Sequence, residues 1–205
     1  PIHDIQGNGA ASPLSGQTVA TTGIVTLLKT GSNAGAGAAN GFFLQDPVAD
    51  ADPNTSEGIF VFTNTVPTVA VGDEVRVAGT VTEFNGLTEI TSVSSTSVIS
   101  TGNPLPTDIQ FTPADLAPTA APTQPQLEKY EGMRVCSASG GYVSVAPNDN
   151  FFDVYAVLVN VARPMREPGI PASDPVPPDP TSGTPDPNIA IWDENPERLK
   201  IDTNG

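Results

Sequence analysis

A glycine or proline stands at one position in five along this chain, 41 of 205 residues, and no stretch of 20 escapes one. Proline removes a backbone donor and clashes with the preceding helical turn, while glycine leaves a helix interior at a cost of about 1 kcal/mol. Long helices are therefore excluded, and with them coiled coils, helical bundles and helical solenoids. No apolar run approaches the roughly 20 residues that a membrane-crossing helix needs. What such a chain can build is short strands joined by turns, and the expectation is an all-β fold.

Charge removes further classes. Eight Lys and Arg stand against 23 Asp and Glu, a formal net charge of −15. A basic cradle for nucleic-acid phosphates cannot be assembled from that balance. A single histidine, His3, and a single cysteine, Cys136, exclude Ser-His-Asp and Cys-His catalysis, zinc hydrolase sites and an internal disulfide framework. His3 lies in residues 1–16, which read as a loop rich in Gly, Ser, Asn and Pro, so it is expected to be a terminal residue without a catalytic role. Chemistry by carboxylates alone stays open, since two placed acids can hydrolyse a glycosidic bond. Few Lys and Arg, with many Thr, Ser, Asn, Gly and Ala, fit an exported bacterial protein. A chain that starts at Pro1 reads as a mature or excised piece, for which a missing signal segment is uninformative.

Five stretches carry strand character: Gln17–Lys29, Gly41–Gln45, Gly58–Thr63, Asp73–Glu83 and Leu87–Ser100. Asn85-Gly86 marks a tight hairpin between the last two. Residues 31–40 form a glycine-alanine loop that lacks the dinucleotide-binding fingerprint. A glycine inside the long first strand, Gly23, lets that strand bend and serve two sheets. Together these features predict an OB-fold-like Greek-key barrel over 1–103, with an immunoglobulin-like sandwich as the rival. A proline-rich connector, 104–126, follows, with one helical turn over Thr112–Leu116. Residues 127–205 are expected to form a second β unit, smaller or incomplete. Its strands would run over Met133–Ser137, Gly141–Val145, Val154–Val161, Ile189–Trp192 and Leu199–Ile201, after a short helical turn over Gln126–Glu131.

An ordered series of phrases adds a resemblance. The series runs I-H-D-I-Q-G-x-G, S-P-L-x-G-x-x-V-x-T-x-G-I-V-T, G-F-F-L-Q-D, G-I-F-V-F, V-G-D-E-V-R-V-x-G-T-V-x-E-F-x-G-x-T-E-I and L-E-K-Y-E-G-M-R-V. It resembles the OB-fold-like N-terminal regions of secreted bacterial sugar-nonspecific endonucleases, closely over residues 2–100 and again over Leu127–Val135. The resemblance implies a secreted or cell-surface bacterial protein with a downstream catalytic nuclease domain, metal-dependent and of the endonuclease/exonuclease/phosphatase or metallophosphatase type. The acid, Asn and His residues of such a catalytic centre have no counterparts after residue 3. The expected role is thus a non-catalytic accessory module that positions single-stranded DNA or RNA or braces the catalytic domain. The alternatives are a structural or glycan-binding β module of the cell envelope and a carboxylate-only hydrolase.

Two groups of residues are candidate sites. Phe42, Phe43, Phe60 and Phe62 fall on the second and third strands, where OB-folds present a base-stacking face. Alternation puts Phe60 and Phe62 on one face and Ile59 and Val61 on the other. One face fills the barrel, and the other stacks ligand or packs on a neighbouring domain. Asp46, Asp50, Asp52 and Glu57 gather four carboxylates within twelve residues beside Asn54, the donors for a Ca²⁺ site or merely a solvated turn. Asp149, Asp153, Asp193, Glu194 and Glu197 read as surface acids. Cys136 reads as a buried small hydrophobe, and Trp192 as core or as an anchor for a further domain.

Overall fold

The structure is a computed structural model; it describes residues 1–30, 40–112, 115, 127–137, 140–146, 154–159, 170–171, 176–186, 188–189, 191–192 and 199–201. The loop over 31–39, most of the connector and Asp149, Asp153, Asp193, Glu194 and Glu197 lie outside the described residues, as does the side chain of Trp192. The chain divides into two compact units.

The first is a closed five-stranded barrel of β1 (Thr18–Thr30), β2 (Asn40–Gln45), β3 (Gly58–Thr63), β4 (Glu74–Phe84) and β5 (Leu87–Ser100), in the order β1-β2-β3-β5-β4. β1 pairs with β4 from Thr18 to Ile24 and with β2 from Ile24 to Thr30, so it changes partner at the glycine. A Cβ on Gly23 would sit 3.1 Å from the Gln45 carbonyl oxygen, which explains the bare backbone at the bend. β3 and β5 run parallel through Phe60↔Glu89 and Val61↔Ile90, and every other pairing is antiparallel. Asn85 (φ 53°) and Gly86 (φ 81°) make the β4–β5 hairpin turn, as Asn-Gly predicts. A register shift across Ala78/Thr80, with Ser92 at φ 47°, bends β5 where it leaves β3. This is the OB-fold-like Greek-key barrel, not the sandwich.

Strand alternation sends Val25, Phe42, Leu44, Ile59, Val61, Val75, Val77, Val81 and Ile90 inward, each at most 1% exposed. At roughly 1.5–3 kcal/mol for each fully buried side chain, this cluster is the main source of the barrel's stability. The first sixteen residues are not all loop. Ile2–Gln6 form a short helix, α1, stopped by Gly7 at φ 69°. Ile2 and Ile5, three apart on one helical face, join the barrel core. Gln6 Nε2 donates to the Gly58 carbonyl at 2.6 Å.

A second departure from expectation concerns residues 127–136, which pack on the barrel instead of opening the second unit. A single 3₁₀ turn, Glu128–Tyr130, leads into Gly132 at φ 68°. There the backbone crosses Gly58 so closely that a Cβ on Gly58 would lie 2.3 Å from the Gly132 carbonyl carbon. Arg134 N donates to the buried Gln45 side chain, and Ser56 Oγ to the Glu131 carbonyl. β6 (Ile109–Phe111) and β7 (Val135–Ser137) form a two-stranded ribbon at the end of this strap. Its Cys136 is half-buried, not buried; the thiol meets Asp108 and accepts from Gln110.

The second unit holds a three-stranded antiparallel sheet of β8 (Tyr142–Ala146), β9 (Val154–Leu158) and β12 (Leu199–Ile201), with β9 in the centre. Ala156, Val157 and Leu158 are buried. A parallel pair, β10 (Ile170–Pro171) and β11 (Ile191–Trp192), completes its described strands. It is the smaller β unit expected. Among the described residues, no helix is long and apolar enough to cross a membrane.

Candidate functional site

β2 and β3 pair Phe43 with Phe60, and inward Leu44, Ile59 and Val61 force both rings onto the outer face. Their centroids are 4.8 Å apart with planes tilted by 44°, a favourable aromatic geometry. Phe62 shares this face. Phe42 does not: it neighbours Phe43 on an alternating strand, so it points inward and is 1% exposed in the core. Of the four predicted stacking residues, Phe42 is a core residue, Phe60 is a nearly buried floor, and Phe43 and Phe62 are half-buried. The hairpin turn adds Phe84, 60% exposed, and Leu87. Phe43, Phe60, Phe62, Phe84 and Leu87 line a cleft of about 690 Å³, with Lys29 its one basic residue among those described and Asn64, Glu89, Thr91 and Ser92 its polar ones.

Glu89 is the member that sequence reasoning passed over. It sits between Phe60 of β3 and Thr82 of β4 in the ladder. Ile90 points into the core, and alternation therefore turns Glu89 outward into the cleft. The residue is 7% exposed, and burial pushes its carboxyl up from the ordinary value. The signal was available: a polar Thr88-Glu89 pair stands directly before the inward Ile90, just beyond the Asn85-Gly86 turn.

The acidic loop between β2 and β3 has a different surrounding from the one expected. α1 brings His3 to it, with Nδ1 3.3 Å from Glu57 Oε2 and 3.7 Å from Asp50 Oδ2. Asp46 Oδ2 accepts from the Ile2 N–H at 3.0 Å, and Glu57 Oε1 from the Asp50 N–H at 2.7 Å. One ligating atom each from His3, Asp46 and Glu57 fall within 4.8 Å of one another. Burial pushes the Asp46 carboxyl up and Glu57 alongside adds to that, while the Ile2 N–H pulls it down. Asp52 is not part of this group; its carboxylate accepts from Asn54 in an exposed turn. An imidazole among carboxylates is a donor set for transition metals more than for Ca²⁺, which takes six to eight oxygens. The contacts present fasten α1 to the β2–β3 loop.

A third group anchors the strap. Glu131 Oε1 accepts from the Thr88 N–H at 2.7 Å and from Gln6 Nε2 at 3.4 Å. Burial is the main cause that pushes the Glu131 carboxyl up to about 7, with Glu128 beside it adding repulsion and the Thr88 donor opposing. The aromatic cleft is a binding geometry: flat apolar walls with a few polar groups at one side.

No family model matches this chain, and neither a curated protein nor a solved structure does.

Proposed function

We propose that the chain is a non-catalytic accessory module of a secreted bacterial nuclease, whose barrel takes single-stranded nucleic acid on the outer face of β2 and β3. The carrying observation is the cleft in which Phe43, Phe62 and Phe84 present ring surface at the face of a five-stranded OB-type barrel. Base stacking on such rings is worth about 1–3 kcal/mol per base and is indifferent to the sign of the protein's charge. With Lys29 the one cation lining the cleft among the described residues, phosphate contributes little, and affinity is modest with a shallow salt dependence. Positioning substrate for a downstream metal-dependent nuclease domain needs no tight binding, because tethering supplies a high effective concentration.

A second reading, a glycan-binding module, is favoured by one feature. A carboxylate beside aromatic walls, Glu89 beside Phe60, also suits sugar hydroxyls over an apolar ring face, and a neutral glycan meets no repulsion from a charge of −15. Fluorescence anisotropy separates the two. A labelled single-stranded oligonucleotide of about ten residues, a length within the range OB-folds cover, is titrated with the protein at low salt, with a neutral oligosaccharide as competitor. Saturable binding that the sugar does not displace supports the nucleic-acid reading. Absence of oligonucleotide binding overturns it.

A further inference from the structure

Glu89 poses a question that folding alone does not answer. Its residue is 7% exposed, no hydrogen bond or ion pair from another described residue reaches its carboxylate, and the oxygens keep contact with solvent through the cleft. Its neighbours in the ladder, Phe60 and Thr82, do not supply one, and Thr82 Oγ1 instead meets Thr91 Oγ1 at 2.8 Å. Partial burial disfavours the charged form and pushes the carboxyl up, and in the free protein only water in the cleft can donate to it. Here the group lines the same cleft as the phenylalanines. A ligand bound in the cleft would displace that water and would have to bring donors of its own to the two oxygens.

We infer that the cleft selects guanine, whose N1–H and N2–H groups donate to the two oxygens of Glu89 while the base lies against the phenylalanine walls. This rests on the single-strand reading above and adds the identity of the base to it. An ionised carboxylate only accepts. Guanine alone among the bases offers two adjacent donors along its pairing edge. Adenine and cytosine set a ring acceptor beside their amino group, facing the second carboxylate oxygen with a lone pair. Thymine and uracil offer a single N–H flanked by two carbonyl oxygens. A good bidentate contact discriminates bases on the order of tenfold or more.

The test uses the intact chain and four labelled thymidine-rich single strands of about ten residues, identical except for a central dG, dA, dC or dT. Binding is read by anisotropy at one low salt concentration and pH 8. The dG strand is expected to bind about tenfold more tightly than the other three, and Glu89→Gln to bring the dG-to-dT ratio close to one. Circular dichroism checks that the variant is folded; if it is not, the preference of the unaltered protein decides. Equal binding of all four strands overturns the guanine assignment and leaves the stacking reading standing. A dG preference that survives in folded Glu89→Gln overturns the role of Glu89. Binding of no strand overturns the stacking reading and the guanine assignment together. Displacement by a neutral oligosaccharide in a Glu89-dependent manner replaces the base by vicinal hydroxyls and overturns it as well.

Discussion

Glu131→Gln is expected to leave stability unchanged near pH 4.5 and to raise it at pH 8. The carboxyl of Glu131 titrates at about 7 in the folded protein against 4.5 for an ordinary glutamate, mainly because the strap that carries it buries it against the barrel. The folded state thus holds a proton that the unfolded chain gives up between those two values. A raised folded value means that the group's contribution is fully present below about 4.5 and is lost as pH rises through about 7. At 1.36 kcal/mol per pH unit the unscreened loss is roughly 3 kcal/mol, and screening by solvent around a half-buried group reduces it to about 1–2 kcal/mol. Glutamine keeps an oxygen for the Thr88 N–H and Gln6 Nε2, and its amide can donate toward Glu128. It has no proton to lose. Urea unfolding of both proteins, followed by circular dichroism from pH 4.5 to 8.5, gives the difference directly. The expected trace is flat at the acid end and rises by about 1–2 kcal/mol in favour of the variant, an increase of a few degrees in Tm. A difference independent of pH, or a variant less stable at pH 8 than at pH 4.5 relative to the parent, would refute the burial reasoning.

Further predictions follow from the packing. Phe42→Ala is expected to destabilise the barrel by about 3–5 kcal/mol through its cavity, whereas Phe43→Ala, one residue along, weakens oligonucleotide binding about tenfold and changes the melting temperature far less. Thermal melts paired with anisotropy titrations check both. Gly58→Ala forces a methyl into the Gly132 backbone and is expected to cost about 1–3 kcal/mol. Its mark in hydrogen exchange is faster exchange of the Thr88 amide, whose partner is on the displaced strap. His3→Ala removes the imidazole that faces Glu57 and Asp50, so hydrogen exchange of the Ile2–Gln6 amides is expected to accelerate while β4 and β5 amides are unaffected.

The barrel was legible because its constraints are local. Asn85-Gly86 specifies a turn by its own φ values, Gly23 marks a bend within one strand, and Ile59/Phe60/Val61/Phe62 sort themselves by alternation. The same rule, applied to Phe42 and Phe43, separates them, and grouping them as one stacking set overlooked it. What stayed hidden depends on contacts between residues far apart in the chain. His3 meets Glu57 across 54 residues, so nothing in a glycine-rich start marked it. The Ile2–Ile5 spacing did carry a helical signal, but five residues are too few to read as a helix without the barrel that receives them. The strap over 127–136 stands beyond a proline-rich connector, which reads as a boundary; the Gly58–Gly132 crossing and the bonds from Gln45, Ser56 and Thr88 to the strap show that it belongs to the barrel. The raised carboxyls of Glu131 and Glu89 are consequences of burial, which no residue carries in its identity.

A binding role for the outer face of β2 and β3 has a direct spectroscopic consequence. Chemical-shift mapping with a ¹⁵N-labelled chain and an unlabelled single-stranded oligonucleotide tests it most directly. Shifts are expected to concentrate at Phe43, Phe60, Phe62, Phe84 and Glu89, with α1 and the His3 cluster undisturbed. Shifts confined to another surface, or none at concentrations far above those used for anisotropy, would contradict it.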